Sequence, residues 1–342
     1  MHVSQAVLAC VVVLATTIIT TPAAEPTGAT FTDPTQADGD FTFQGEYAGE
    51  AEIGGEKLGV GIQVVARGDG RFDVVAYPGG LPGDGWTPPQ KLLGKGTRRD
   101  AGDGAVVTVE GVDWTGQQRR GEIRGAALVV IGDDGSEAAR FPKVDRTSPT
   151  LGQAPPPGAV VIFDGAGPAD EQATLESPRI TADGLLMEGV STRQSFGDAR
   201  WHLEFRLPYQ PHDRGQARGN SGGYFSGCYE VQMLDSFGLD PQDNGCGGID
   251  KAAPPALNMC LPPLAWQTYD VDFTAPRFEA GRKVRNARLS VRHNGVSIHD
   301  DVEIGGITPG GPRREEAPTG PLHLQNHGNP VRYRNIWVVP KP

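Results

Sequence analysis

Basic residues are scarce in this sequence. Thirty-one Lys and Arg stand against 42 Asp and Glu, a formal net charge of −11 over 342 residues. No basic patch is present to displace phosphate counterions, so nucleic acid is not an expected partner. Cysteine is scarcer still, at four, and no pair has the CxxC spacing of a zinc site. No stretch shows a convincing helical period, which argues against a helical core. Long hydrophobic runs are missing apart from Val7 to Ile19. That run falls short of the roughly 20 residues a membrane span needs. It leads into the small residues Thr21-Pro22-Ala23-Ala24, and no Lys or Arg precedes it. The pattern reads as a secretory signal peptide over residues 1–24, giving an exported, periplasmic or extracellular chain with no stable membrane span. Its removal would take Cys10 and leave Cys228, Cys246 and Cys260, enough for one internal disulfide and a spare thiol.

What the chain does have is turn residues. Gly (48) and Pro (29) together exceed a fifth of it, which favours many short strands. Residues 25–40 hold little apolar content and read as a flexible leader. Over residues 41–147, apolar runs such as Val60 to Val65, Phe72 to Tyr77, Val106 to Val109 and Ala127 to Ile131 alternate with turns such as Arg67-Gly68-Asp69-Gly70 and Gly132-Asp133-Asp134-Gly135. Asp-Gly between such runs marks hairpins, so a small antiparallel β domain is expected. Residues 148–158 are proline-rich and predict a semi-rigid spacer at a domain boundary.

A second β pattern fills residues 159–342. Strands are expected at Val160 to Phe163, Trp201 to Leu207, Gly223 to Asp235, Trp266 to Phe273, Ala287 to His293, Val296 to His299 and Arg332 to Val339. Asn294-Gly295 marks a tight hairpin. The fold class is therefore all-β, a β-sandwich of the jelly-roll kind preceded by the smaller β domain.

A half-buried strand alternates apolar and polar side chains. Trp201, Leu203, Phe205 and Leu207 form one face of their strand, and His202, Glu204 and Arg206 the other. Glu230 and Gln232 oppose Val231 and Met233, while His323, Gln325 and His327 oppose Leu322, Leu324 and Asn326. Polar strand faces ordinarily only meet water. Three in one domain, rich in Glu, Gln, Arg and His, suit the recognition of sugar hydroxyls on a sheet face. By parity, Glu204, Glu230 and Gln232 are expected on a single face with His327 nearby. Glu230, Gln232 and Asp235 also sit at the Glu-x-Asp-x-x-Glu spacing of laminarinase-type glycosidases. Two of the three residues differ, and a retaining glycosidase needs two carboxyl groups roughly 5 Å apart. A standard retaining glycosidase is not predicted.

Longer strings carry a family resemblance. RGNSGGYFSGCYEVQMLDSFG (Arg218 to Gly238), NGCGGI (Asn244 to Ile249), WQTYDVDFTAPRF (Trp266 to Phe278), RHNGVSIHDDVEI (Arg292 to Ile304) and GPLHLQNHGNPVRYRNIWV (Gly320 to Val338) appear in order. In these the second domain resembles the 3-keto-disaccharide hydrolase family of concanavalin-like sandwiches, with Cys228 and Asn326 departing from its pattern. The resemblance implies action on glycosides already oxidised to a ketone at carbon 3. A base would take the acidified proton from carbon 2, and the group on carbon 1 would leave by β-elimination. On that reading Glu230 or His327 is the base, and Glu204 and Asp235 complete the catalytic group. Gln232, Arg206, Asn220, Gln325 and Tyr224 would contact an oligosaccharide or glycoside substrate. The acidic residues and His327 could hold a divalent metal, although no spacing compels one. The alternatives are a non-catalytic, lectin-like module and an envelope structural protein. Cys246 and Cys260 flank the loop Ala253-Pro254-Pro255, and a disulfide there would remove loop entropy worth about 3 kcal/mol.

Overall fold

Asp-Gly and Asn-Gly turns at short intervals fold the chain back on itself into antiparallel ladders. A computed structural model describes residues 28–53, 55–101, 104–165 and 173–342. The expected signal peptide, residues 1–24, lies outside the described residues, and with it Cys10.

Eight strands in chain order make a closed up-and-down barrel: β1 (Gly45–Ile53), β2 (Glu56–Ala66), β3 (Arg71–Pro78), β4 (Leu92–Ala101), β5 (Gly104–Val112), β6 (Gln118–Arg124), β7 (Ala127–Ile131) and β8 (Glu137–Val144). Pairing of Glu46 with Val144 closes the ring. Closure removes both sheet edges. One end of the lumen is filled by Tyr47, Phe72, Val107, Ile123 and Phe141.

The second domain packs two antiparallel sheets. The larger contains β9 (Val160–Phe163), β10 (Leu186–Met187), β12 (Ala199–Arg206), β15 (Trp266–Thr274), β18 (Ala287–His293), β19 (Val296–Ile304) and β21 (Arg332–Pro340). The smaller contains β11 (Val190–Ser191), β13 (Ser221–Phe225), β14 (Tyr229–Met233) and β20 (His323–Leu324). A separate hairpin joins β16 (Arg277–Glu279) to β17 (Arg282–Arg285). Trp201, Leu203, Phe205, Val231, Met233, Val271 and Leu324 are buried together in one core. Fully burying each such side chain contributes about 1.5–3 kcal/mol. Asn294 and Gly295, both at positive φ, close the β18–β19 hairpin at the predicted place.

Three expectations are corrected. Gly223 to Asp235 is not one strand. Ser226 (φ 54°) and Gly227 (φ 70°) turn the chain sharply, splitting it into the β13–β14 hairpin. The described part of the leader is not loose. Phe31 exchanges backbone hydrogen bonds with Tyr209, and the Asp40 carboxylate accepts from the Gly70 N–H and from Arg98. The proline-rich spacer, finally, is docked along its first half. Ser148 and Thr150 hydrogen-bond Thr268, Thr150 also donates to Asp270, and the Gln153 carbonyl accepts from Asn335 and Trp337. It therefore straps the face of the larger sheet that points away from the core.

Candidate functional site

On the smaller sheet, alternation sends Val231, Met233 and Leu324 into the core, so their neighbours face outward. Register then sets those neighbours side by side: Tyr224 opposes Glu230 on one flank and His323 on the other. One step along, Gly222 lies between Gln232 and Gln325, whose N–H donates to the Gly222 carbonyl. The site is thus three adjacent strands, with Glu230 on the outermost.

Gly222 has a specific use. A Cβ there would lie 2.0 Å from Glu230 Oε1, so the carboxyl folds over the strand only because the side chain opposite is absent. In that position Glu230 is 2% exposed. Burial pushes its pKa up to about 8, the nearby Asp250 charge adds to the rise, and a hydrogen bond with Tyr224 opposes it. A carboxyl poised near neutrality can both take and give a proton. Its Oε1 has no hydrogen-bond partner.

The surroundings hold Glu230 in place. Thr308 accepts the Glu230 N–H at 2.9 Å. The Tyr224 hydroxyl donates to the Pro309 carbonyl at 2.7 Å and accepts from Gln325 at 3.1 Å. Asn220 donates to Gln216, and the Gln216 side-chain oxygen also accepts from Gln232 at 3.4 Å. Asn220 Oδ1, Gln325 Oε1 and His327 Nδ1 are, like Glu230 Oε1, buried without partners. Unpaired buried polar atoms are uncommon in folded chains, and these four on adjoining segments leave hydrogen-bonding capacity for water or a polar ligand. His327 follows β20 on a loop, and burial lowers its pKa, which keeps the imidazole neutral. His323, bonded to Ser191 at 2.9 Å, is depressed by burial as well.

Three expected members lie elsewhere. Glu204 and Arg206 also face away from the core, but from the larger sheet, on the opposite side of the sandwich. Glu204 is fully buried beneath the strap. Burial alone would raise its pKa, yet hydrogen bonds from His202, Asn335, Arg334 and the Gly152 N–H hold it at about 2. Arg206 reaches the Thr32 carbonyl and stacks over Trp266. Asp235 follows the end of β14 and is paired with Arg218 at 2.6 Å, in a buried contact whose guanidinium also donates to the Ala66 carbonyl of the barrel. All three are satisfied groups that hold elements together. The expected Cys246–Cys260 disulfide is not formed. Both are buried free thiols that hydrogen-bond each other, with Tyr269 3.3 Å from Cys246 and the Leu234 carbonyl accepting from Cys260. Cys228 is a free thiol at the β13–β14 turn.

Sequence reading missed Gly222, Asp250, Gln216 and Thr308. Paired glycines inside a strand, Gly222-Gly223, were the available signal for the first. The others depend on loops brought in from a distance. No group of three His, Cys, Asp or Glu among the described residues could hold a metal ion, so the donor set does not fit the divalent ion considered above.

An outward sheet face furnished with Glu, Gln, Tyr and His suits the recognition of sugar hydroxyls. Residues 158–339 match the 3-keto-alpha-glucoside-1,2-lyase-like domain, just over half of the chain, and the chain belongs to that family. Two solved structures from Parabacteroides distasonis, both candidate glycosyl hydrolases, are similar to it. One is 31% identical over 54% of this chain and 84% of its own, with a TM-score of 0.49. The other is 15% identical over 54% of this chain and 94% of its own, with a TM-score of 0.39. No curated protein matches the chain.

Proposed function

We propose that the protein cleaves glycosides carrying a ketone at carbon 3, with Glu230 as the base. The ketone acidifies the proton on carbon 2. Ionised Glu230 takes that proton, and the electron pair left behind forms the enolate. The enolate then re-forms the ketone while the carbon 1–oxygen bond breaks, leaving a carbon 1–carbon 2 double bond. The departing alkoxide takes a proton, and water adding at carbon 1 completes a net hydrolysis. Glu230 carries this reading: with a pKa near 8 about a tenth of it is ionised at pH 7, and that fraction is a stronger base than an ordinary carboxylate and can return the proton it takes. On this reading Gln232, Asn220 and Gln325 bind hydroxyls, and what supports it is that Asn220 Oδ1 and Gln325 Oε1 are buried with no hydrogen-bond partner. Neutral His327 is the second candidate for proton transfer. A ketone-driven elimination does not call for the second carboxylate, roughly 5 Å away, of a retaining glycosidase. That is consistent with Glu204 and Asp235 lying outside this cluster.

Supply of a 3-keto-glucoside and its unoxidised parent tests the proposal. Turnover of the ketone alone is the expected result. Saturable binding of both without turnover of either would instead make the face a lectin-like surface.

We also infer export, from the apolar run Val7 to Ile19 and the small residues after it. Mass spectrometry of the native protein should find a mature start near Ala24 or Glu25. An intact Met1 would overturn this.

A further inference from the structure

An eight-stranded barrel is just wide enough for its own side chains to fill, or to hold one small ligand. This barrel does both, at opposite ends. One end is filled, by Tyr47, Phe72 and Phe141 among others. Towards the other end, six inward positions on six different strands carry only glycine or alanine: Ala51, Ala76, Gly94, Gly111, Gly121 and Ala139. Register places them around one level. Gly94 pairs with Gly111, and the inward neighbours Ala76 and Leu92 are paired, as are Val130 and Ala139. The omitted side chains leave a cavity of about 370 Å³, lined elsewhere by Val60, Ile62, Val74, Val109, Leu128 and Val130. Five of the six small residues remain partly exposed although they point inward, so the lumen opens to solvent. Trp114, at the β5–β6 turn, stands at the opening and is 36% exposed.

We propose that this lumen binds an uncharged lipophilic small molecule, a role separate from the sugar chemistry of the sandwich. The cavity falls in the size range of ligand pockets, roughly 300–1,000 Å³. It is more than twice the roughly 150 Å³ cavity that accepts benzene, which suits a molecule of about two rings. The lining is chiefly apolar, with Glu52, Asp113, Thr115, Arg119 and Arg120 as its polar members. Arg119, the inward-pointing cation at the rim, is already held by Asp113 at 2.7 Å and by Gln117 at 2.8 Å, so it offers no free charge to an anion. Burying an uncharged apolar guest here removes wetted apolar wall and guest surface together.

Titration of the full protein with N-phenyl-1-naphthylamine, an uncharged two-ring-plus-phenyl probe that fluoresces in apolar surroundings, tests this. The expected result is saturable enhancement at one probe per chain, unaffected by a saturating glycoside. Ala76→Phe and Ala139→Phe each place a ring in the lumen from a different strand and should weaken binding at least tenfold. Retained cooperative melting establishes that each variant is folded. Absence of saturable enhancement in the wild type overturns the proposal, as does wild-type affinity in both folded variants.

Discussion

Glu230 illustrates how a single residue is tuned by what surrounds it. Its carboxyl is desolvated, faces the Asp250 charge and leans into space that Gly222 leaves open. Folding raises its pKa from 4.5 to about 8, so the folded chain binds this proton more tightly than the unfolded chain. The stability tied to that proton is therefore complete below the unfolded pKa and is lost as pH rises through the folded one. Glu230→Gln removes the titration. At pH 5 the variant and wild type should melt close together. By pH 9 the variant should be more stable, on the order of a few kcal/mol, since each tenfold change in proton affinity is worth about 1.4 kcal/mol. Thermal melts across that range check it, and a constant difference would contradict the assigned pKa. Parity, the partial Glu-x-Asp-x-x-Glu spacing and the family resemblance made Glu230 visible in the sequence. Gly222 was not visible, because its role is to be absent where a distant oxygen must fit.

At the scale of elements, alternation told in from out correctly but could not say out on which side. β12 and β14 each turn one polar face away from a shared core, and the two faces end on opposite surfaces of the sandwich. Glu204 thus lies beneath the strap of residues 148–153 while Glu230 lines the other side. The strap itself was read only as proline-rich, since nothing local reveals that Ser148 and Thr150 will find Thr268. Nor did an apolar run expose the Ser226-Gly227 turn, whose flanks are both strand-like. Glu204→Gln separates structure from catalysis. Its folded pKa of about 2 means that its stabilising bonds are present above pH 4.5 and lost as pH falls through 2. The variant should lose about 3 kcal/mol at pH 7, since breaking a buried, multiply bonded charge leaves partners unmatched, with that penalty shrinking in strong acid. Turnover per folded molecule should stay at the wild-type value. A hundredfold fall in turnover with unchanged stability would return Glu204 to the catalytic group.

At the scale of the whole molecule, the barrel and the sandwich meet through specific contacts. Tyr209 of the sandwich side joins the barrel's apolar cluster and bonds Asp38, and Arg218 links Asp235 to the Ala66 carbonyl. That the chain folds as two β regions was readable from turn spacing, because turns are local. Convergence of Asn220, Tyr224, Glu230 and Gln325 needed the register of three strands drawn from over a hundred residues of chain. The central claim is that Glu230 removes the proton from carbon 2 of a ketone-bearing sugar. Following deuterium exchange at that carbon in a 3-keto-glucoside measures the step itself. Wild-type protein should exchange the position and release the group on carbon 1, and Glu230→Gln should slow both by about two to four orders of magnitude. Exchange and release by Glu230→Gln at the wild-type rate would contradict the account.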